Sequence, residues 1–351
     1  MKNLTIKQFL FGLTVLISLV LLGSCGGSGS GSSSNSYAGP GSDWSAQLFS
    51  DNSFTITEST NSLTVNGTYS RLSSGFIKLT VSSATGTGAP SPGDIAYGLD
   101  VPGFVFFLKP LSGDQVIAMV SSGSCPSGGL DFNWVSTNVE SSVSNIATKD
   151  TYGTFTWDQN SGSTSVSKKY AVNAPTTDLG SQALSTLTCS SGVGSTGTAK
   201  MYFTSGGGAI VNTNTSDAST ANFIVAMEKE PISAASDLDG NWVGLVFDEG
   251  AASDKVKPIS ASASSGTFTV SGITPDTGAA SGAFSDTYTL SNLNLDGNNG
   301  MFLFTASGSG KLGCIADITI QESSSKKVLL CAGQSKTTAT KLSNLLLVYK
   351  P

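Results

Sequence analysis

The chain of 351 residues has no histidine, only 12% charged residues and only 8% aromatics. Without imidazole there is no Ser-His-Asp or Cys-His nucleophile, no His-bearing zinc site and no imidazole switch near neutral pH. Basic residues number 18 against 24 acidic ones, a net charge of −6. The dense Lys/Arg surface that phosphate contacts require is therefore missing, which excludes nucleic acid as a partner. Five cysteines are present, none spaced as CxxC, so neither a bound metal nor any other cofactor is expected. What is abundant is glycine, 41 residues, together with Ser, Thr and Asn between short apolar runs.

At the N-terminus Lys2 and Lys7 precede an apolar run from Phe9 to Leu22, interrupted by Gly12, Thr14 and Ser18. The run is shorter than the roughly 20 residues of a comfortable transmembrane helix and has the form of an export signal. It ends in Leu22-Gly23-Ser24-Cys25, which resembles the lipobox of bacterial lipoproteins. The resemblance implies a signal peptide over 1–24, recognition of Leu22, Gly23 and Ser24 by the signal peptidase, and acylation of Cys25. It also implies an anchor in the membrane. Gly26 follows where an inner-membrane lipoprotein of this family has Asp, which points to the bacterial outer membrane. Residues 25–42 are almost entirely Gly and Ser, and read as a tether that buries too little apolar surface to order itself.

Setting Cys25 aside leaves Cys125, Cys189, Cys314 and Cys331. An even number in an exported chain reads as two disulfides, with three possible connectivities. A domain boundary between the first pair and the second favours Cys125–Cys189 and Cys314–Cys331.

Beyond the tether the runs are short, rich in Thr, Val and Phe, and punctuated by Gly, which predicts an all-β protein. Trp44 to Asp51 aligns approximately with Trp242 to Glu249 at an offset of 198, and Asn66 to Ser70 with Ser265 to Thr269. Asn222 to Lys229 likewise aligns with Asn344 to Lys350. Two tandem antiparallel barrel-like domains are expected, over 43–229 and 237–351, joined by a linker at 230–236 that carries Pro231. Eight strands are expected in the second, opening at about 241–248. Gly240-Asn241-Trp242 there resembles the G-x-W signature of lipocalin-like barrels, in which the tryptophan packs across the barrel base. A β-sandwich is the alternative. Gly153-Thr154-Phe155-Thr156 leaves open a split of the first domain into two sheets.

Chemistry-bearing patterns are incomplete. Asn292 to Gly297 lacks the acids of a calcium loop, and Ser307 to Leu312 lacks the first glycine and the hydroxyl of a phosphate loop. Ser165-Val166-Ser167-Lys168 has the letters of a Ser/Lys hydrolase but reads as strand. Trp134 and Trp157, each beside Asn or Asp, are candidate ligand-facing aromatics for a sugar or a small apolar ligand. The expectation is a non-enzymatic, lipid-anchored envelope protein that binds a small ligand or an unidentified protein. A lipocalin-like carrier is the alternative, and an envelope hydrolase the remaining one.

Cys25→Ser is expected to abolish membrane attachment. In detergent-phase partitioning the wild type should enter the detergent phase and the variant should stay in the aqueous phase. Equal recovery of both would rule out acylation at this residue.

Overall fold

A computed structural model describes residues 34–39, 44–109, 116–136, 150–213, 223–229, 232–248, 251, 255–298, 300–308, 310–321, 324–335 and 342–349. The lipobox residues 22–25 lie outside them. The first eight strands are β1 (Ser34–Ala38), β2 (Trp44–Phe49), β3 (Ser53–Glu58), β4 (Leu63–Arg71), β5 (Ile77–Thr85), β6 (Ile95–Val101), β7 (Val105–Lys109) and β8 (Ile117–Ser121). They form a closed antiparallel barrel in chain order, β1 sealing it against β8.

The middle strands are β9 (Leu130–Ser136), β10 (Asp150–Trp157), β11 (Thr164–Ala171), β12 (Gln182–Ala183), β13 (Thr188–Ser190), β14 (Val193–Thr196), β15 (Ala199–Phe203), β16 (Ala209–Asn212) and β17 (Phe223–Glu228). They form one open sheet in the order β12-β11-β10-β9-β17-β16-β15-β14-β13. The last eight are β18 (Gly240–Asp248), β19 (Val256–Ser264), β20 (Thr267–Ile273), β21 (Ala280–Leu293), β22 (Met301–Ala306), β23 (Lys311–Gln321), β24 (Ser324–Gln334) and β25 (Leu342–Tyr349). These close into a second barrel, β25 against β18.

The all-β class and the paired barrels agree with the sequence, and the second barrel has the eight strands expected of it. Two expectations need correction. Ser34–Ala38, assigned to the tether 25–42, is a barrel strand: its backbone pairs with both β2 and β8, and Tyr37 fills the lumen. The stretch 43–229, read as one unit, holds two sheets. Phe223–Glu228, aligned with the closing strand β25, pairs instead with β9 and β16 in the middle sheet. In the first barrel the place of β25, beside the tryptophan-bearing strand, is taken by β1. The two barrels are thus circularly permuted relative to each other.

Both lumens are filled by side chains. Leu48, Phe54, Ile77, Leu79, Phe106 and Met119 pack in the first. At its end Tyr37 donates to Asp100 Oδ1 at 2.5 Å, and the chain's single arginine, Arg71, bonds Asp100 Oδ2 at 2.7 Å. Burial, then the Asp100 charge and hydrogen bond, push the Tyr37 phenol well above its ordinary pKa, so the hydroxyl stays a donor. In the second lumen Trp242 packs near Phe268, and its Nε1 donates to Leu238 O at 3.0 Å. The Cys314–Cys331 disulfide joins directly paired residues of β23 and β24 beside them.

The outer faces are equally decisive. Alternation along β7 sends Phe106 and Leu108 into the lumen, and Val105 and Phe107 outward; along β25 it sends Leu345 and Leu347 in, and Leu346 and Val348 out. Strands that read as continuous apolar runs are therefore buried on both faces. The outward residues of all three sheets meet in one core that contains Phe104, Tyr152, Val225, Val243, Ile315 and Leu330. Each fully buried side chain of this kind contributes roughly 1.5–3 kcal/mol.

Three glycines make the close approaches possible. A Cβ on Gly208 would meet Phe104 of the first barrel at 2.3 Å, and one on Gly313 would meet the Tyr152 ring at 2.0 Å. One on Gly75 would meet Val243 at 2.8 Å. Each pair of sheets is therefore seated on a missing side chain. Polar bonds border these contacts: Lys78 Nζ to Asp276 at 2.9 Å, Tyr170 OH to Asp296 at 2.7 Å, and Asn344 Nδ2 to Ser136 O at 2.9 Å. The charge pair is partly exposed and screened, so apolar burial holds the sheets together.

Gly313→Ala is expected to destabilise the protein by about 1–3 kcal/mol, because its methyl group has nowhere to go. Gly128→Ala, with open space at the same distance, is expected to stay within about 0.5 kcal/mol of wild type. Chemical denaturation of both variants checks this.

Candidate functional site

The middle sheet differs from the barrels because it does not close. Nine strands at about 4.8 Å spacing would span about 38 Å if flat. Its edge strands β12 and β13 are joined by the four residues Leu184 to Leu187, which reach at most about 17 Å. The sheet must curl, and it forms a half-barrel with the connection as a strap across the open side. Ser185 O staples the strap to both sides, accepting from Thr164 Oγ1 of β11 at 2.7 Å and from Thr196 Oγ1 of β14 at 3.2 Å. Leu187 N donates to Gly162 O at 2.8 Å, and its side chain enters the core. The Cys125–Cys189 disulfide ties the short β13 to the segment that leaves the first barrel. Closing a loop of 64 residues contributes about 4 kcal/mol in the chain-entropy account. Both disulfides have the connectivity that the domain boundary favoured.

Register defines the concave face. One row runs Phe203, Ala209, Ala226, Trp134, Gly153, Lys169, each paired with the next. Another runs Phe132, Phe155, Val166, Gln182. A third runs Met201, Val211, Ile224. These rows leave a cavity of about 340 Å³ between the sheet and the strap. Trp134, Phe155, Leu187, Met201 and Ala226 form its deep lining and are buried; Val166, Val211 and Ile224 remain partly exposed. Leu184 of the strap borders the mouth and, at 37% exposure, is the large apolar side chain most open to solvent among the described residues. The concavity is apolar, and the described chain does not fill it.

The polar groups at the cavity are few. Lys169 projects from the concave row and donates to Gln182 Oε1 at 3.3 Å. Thr164, Ser185, Thr196, Lys200 and Thr213 line it as well, and among the described residues no acidic one is in the lining. The neighbouring Asp178 is engaged elsewhere, bonded to Lys168 Nζ at 2.7 Å. Burial would raise its carboxyl, but Lys168 and the backbone N–H groups of Gly180 and Lys169 outweigh that and hold it below the usual carboxylate range.

The two candidate aromatics separate here. Trp134 lines the cavity; Trp157 does not, and stacks on Phe203 with ring centroids 5.8 Å apart. Trp134 lies across Gly153, whose missing Cβ would sit 2.9 Å from Trp134 Cζ2. Its Nε1 is buried with no hydrogen-bond partner in the structure. A sugar platform needs accessible rings, and the two rings of this lining, Trp134 and Phe155, are both buried in an apolar wall. Leu184, Leu187, Met201, Val211 and Ile224 were absent from the sequence reading; only their distant pairing brings them together.

The weaker motifs serve as structure. Ser165 and Ser167 on β11 bond Thr156 and Thr154, and Lys168 pairs with Asp178. Asp296 accepts from Tyr170, and Asp237 accepts from the N–H groups of Ser233 and Ala234. Smaller cavities bounded by described residues include one of about 160 Å³ between the barrels near Arg71 and one of about 80 Å³ beside Tyr288 at an end of the second barrel.

The fold defines an all-β protein of two closed barrels with a curled sheet between them. The chain matches no protein-family model and no curated protein. Among solved structures it is similar to the isotype 1 transferrin-binding protein B from serogroup B Neisseria meningitidis, at 12% identity and a TM-score of 0.26. The likeness covers 88% of this chain and 66% of that one, so the chain spans just under two thirds of that protein's length.

Gly153→Ala is expected to cost about 1–3 kcal/mol, since the added methyl would meet Lys168 O at 2.1 Å as well as the indole. It should also change the near-ultraviolet circular dichroism of Trp134. A variant that melts with wild type and keeps that spectrum would contradict the register of β9, β10 and β11.

Proposed function

We propose that the protein is a non-catalytic binding protein of the bacterial envelope, anchored through lipid on Cys25, whose ligand seat is the half-barrel. The observation that carries this reading is the unfilled apolar concavity bounded by Trp134, Met201 and the strap. An apolar pocket of about 340 Å³ with few polar groups is the usual form of a small-molecule seat. Filled lumens remove the barrels as containers, so the carrier reading moves from the lipocalin-like barrels to the sheet between them. The lipobox resemblance and the two disulfides support an exported, oxidising location, and Gly26 supports the outer membrane. Cys25 and Ser34 are separated by eight residues, nine steps that reach at most about 32 Å. The first barrel therefore stays close to the bilayer in this reading.

The test uses N-phenyl-1-naphthylamine, an uncharged apolar fluorophore. The purified protein is expected to bind it with one-to-one stoichiometry and a blue-shifted emission. Ala199→Phe, which places a ring in the rim of the cavity, is expected to weaken binding at least tenfold while the melting temperature holds. Unchanged binding by that variant, or none by the wild type, would overturn the half-barrel as the seat.

A further inference from the structure

The geometry points to the chemical class of the ligand: we infer that the half-barrel binds a single-chain amphiphile with a carboxylate head. The apolar tail lies among Phe155, Leu187, Met201 and Ile224, and the head is held by Lys169 and the indole N–H of Trp134. This inference rests on the half-barrel being the ligand seat.

Three independent features of the cavity converge on it. The first is shape and polarity. At roughly 30 Å³ for each water-sized group, the cavity takes about eleven heavy atoms. Its deep wall offers them apolar side chains, which suits a chain of methylenes. A longer tail leaves past Leu184, whose exposed apolar side chain then gains cover at the mouth.

The second is an unmet donor. Trp134 is 5% exposed and its Nε1 has no acceptor in the structure. Leaving a buried donor without a partner costs about 1–3 kcal/mol. The Cζ2 side of the ring, which is the side that carries Nε1, lies over Gly153. The next residue in that cross-strand row is Lys169. Both Trp134 and Lys169 line the cavity, so a ligand oxygen between them answers the indole and the ammonium together.

The third is charge. In a chain with a net charge of −6, the lining contains Lys169 and Lys200 and, among the described residues, no Asp or Glu. By alternation from Met201, Lys200 starts from the convex face, so Lys169 is the cation that register places on the concave one. Asp178 is held by Lys168 and leaves the Lys169 ammonium to Gln182, a neutral acceptor at 3.3 Å. A carboxylate is a stronger partner for that ammonium than an amide oxygen. Neither an alcohol nor a cation draws on all three features.

Displacement of N-phenyl-1-naphthylamine by three ligands of equal chain length tests the inference: dodecanoate, dodecanol and dodecyltrimethylammonium. Each is used below its micelle threshold at pH 8, where the carboxylate is ionised. Dodecanoate is expected to displace the fluorophore roughly tenfold more tightly than dodecanol, with dodecyltrimethylammonium the weakest. Lys169→Gln should remove most of that preference, and Trp134→Phe about half of it on a logarithmic scale. Both variants should keep the wild-type melting temperature and far-ultraviolet circular dichroism, which shows that the seat is still folded, and the preference is read as a ratio of affinities within each variant. Equal displacement by all three amphiphiles, or a preference unchanged in Lys169→Gln, would overturn the carboxylate assignment while the seat stands. Failure of the wild type to bind the fluorophore or any amphiphile would overturn both.

Discussion

The structure depends on burying both faces of its central strands. A barrel strand ordinarily turns one face to the lumen and the other to water, and its sequence alternates accordingly. In β7, β18, β24 and β25 the second face is apolar as well, and it meets its counterparts from the other sheets in one shared core. Two barrels and a half-barrel become one body by this means. The ring of contacts is precise because a side chain from one sheet enters the place of an absent Cβ in another: Phe104 at Gly208, Tyr152 at Gly313, Val243 at Gly75. Burial supplies the energy, and the glycines determine how closely the sheets approach.

The same constraint explains why the cavity is where it is. The convex face of the middle sheet is committed to the shared core through Val135, Tyr152, Tyr170 and Val225. Among the described residues, its concave face is covered by its own curvature and a four-residue strap. Curling brings Trp157 against Phe203, and they fill one part of the hollow. Around Trp134 the strap passes without filling the space, and the apolar wall of Val166, Val211 and Ile224 is left partly exposed. A sheet too wide to stay open and too short-edged to close leaves an apolar hollow on its concave side.

The sequence was most legible where local signals are strong. The second barrel has the eight strands expected of it and opens at Gly240–Asp248, close to the expected 241–248, since Thr, Val and Phe alternate there and turn residues such as Ser265-Gly266 and Asp296-Gly297 separate the strands. Both disulfides followed from the domain boundary. The first strand was not legible: Ser34-Asn35-Ser36-Tyr37-Ala38 has one large apolar residue and shares the composition of the tether before it. It is a strand because β2 and β8 supply the partners for its backbone, and β8 lies more than 80 residues away. The division of 43–229 was only hinted at by Gly153. Trp134 and Trp157 look alike in sequence, and what separates them is a cross-strand glycine on one side and a phenylalanine from β15 on the other.

The placement of β1 gives the molecule a mechanical polarity. The strand nearest Cys25 is also the one that seals the first barrel, joined on one side to β2 and on the other by a brief ladder to β8. When the chain is pulled from the N-terminal side of Ser34, the load enters there and runs along the axis of β1. Its hydrogen bonds are then sheared together instead of being peeled one at a time. The hydroxyl of Tyr37, bonded to Asp100 inside the lumen, acts as a latch against that slide.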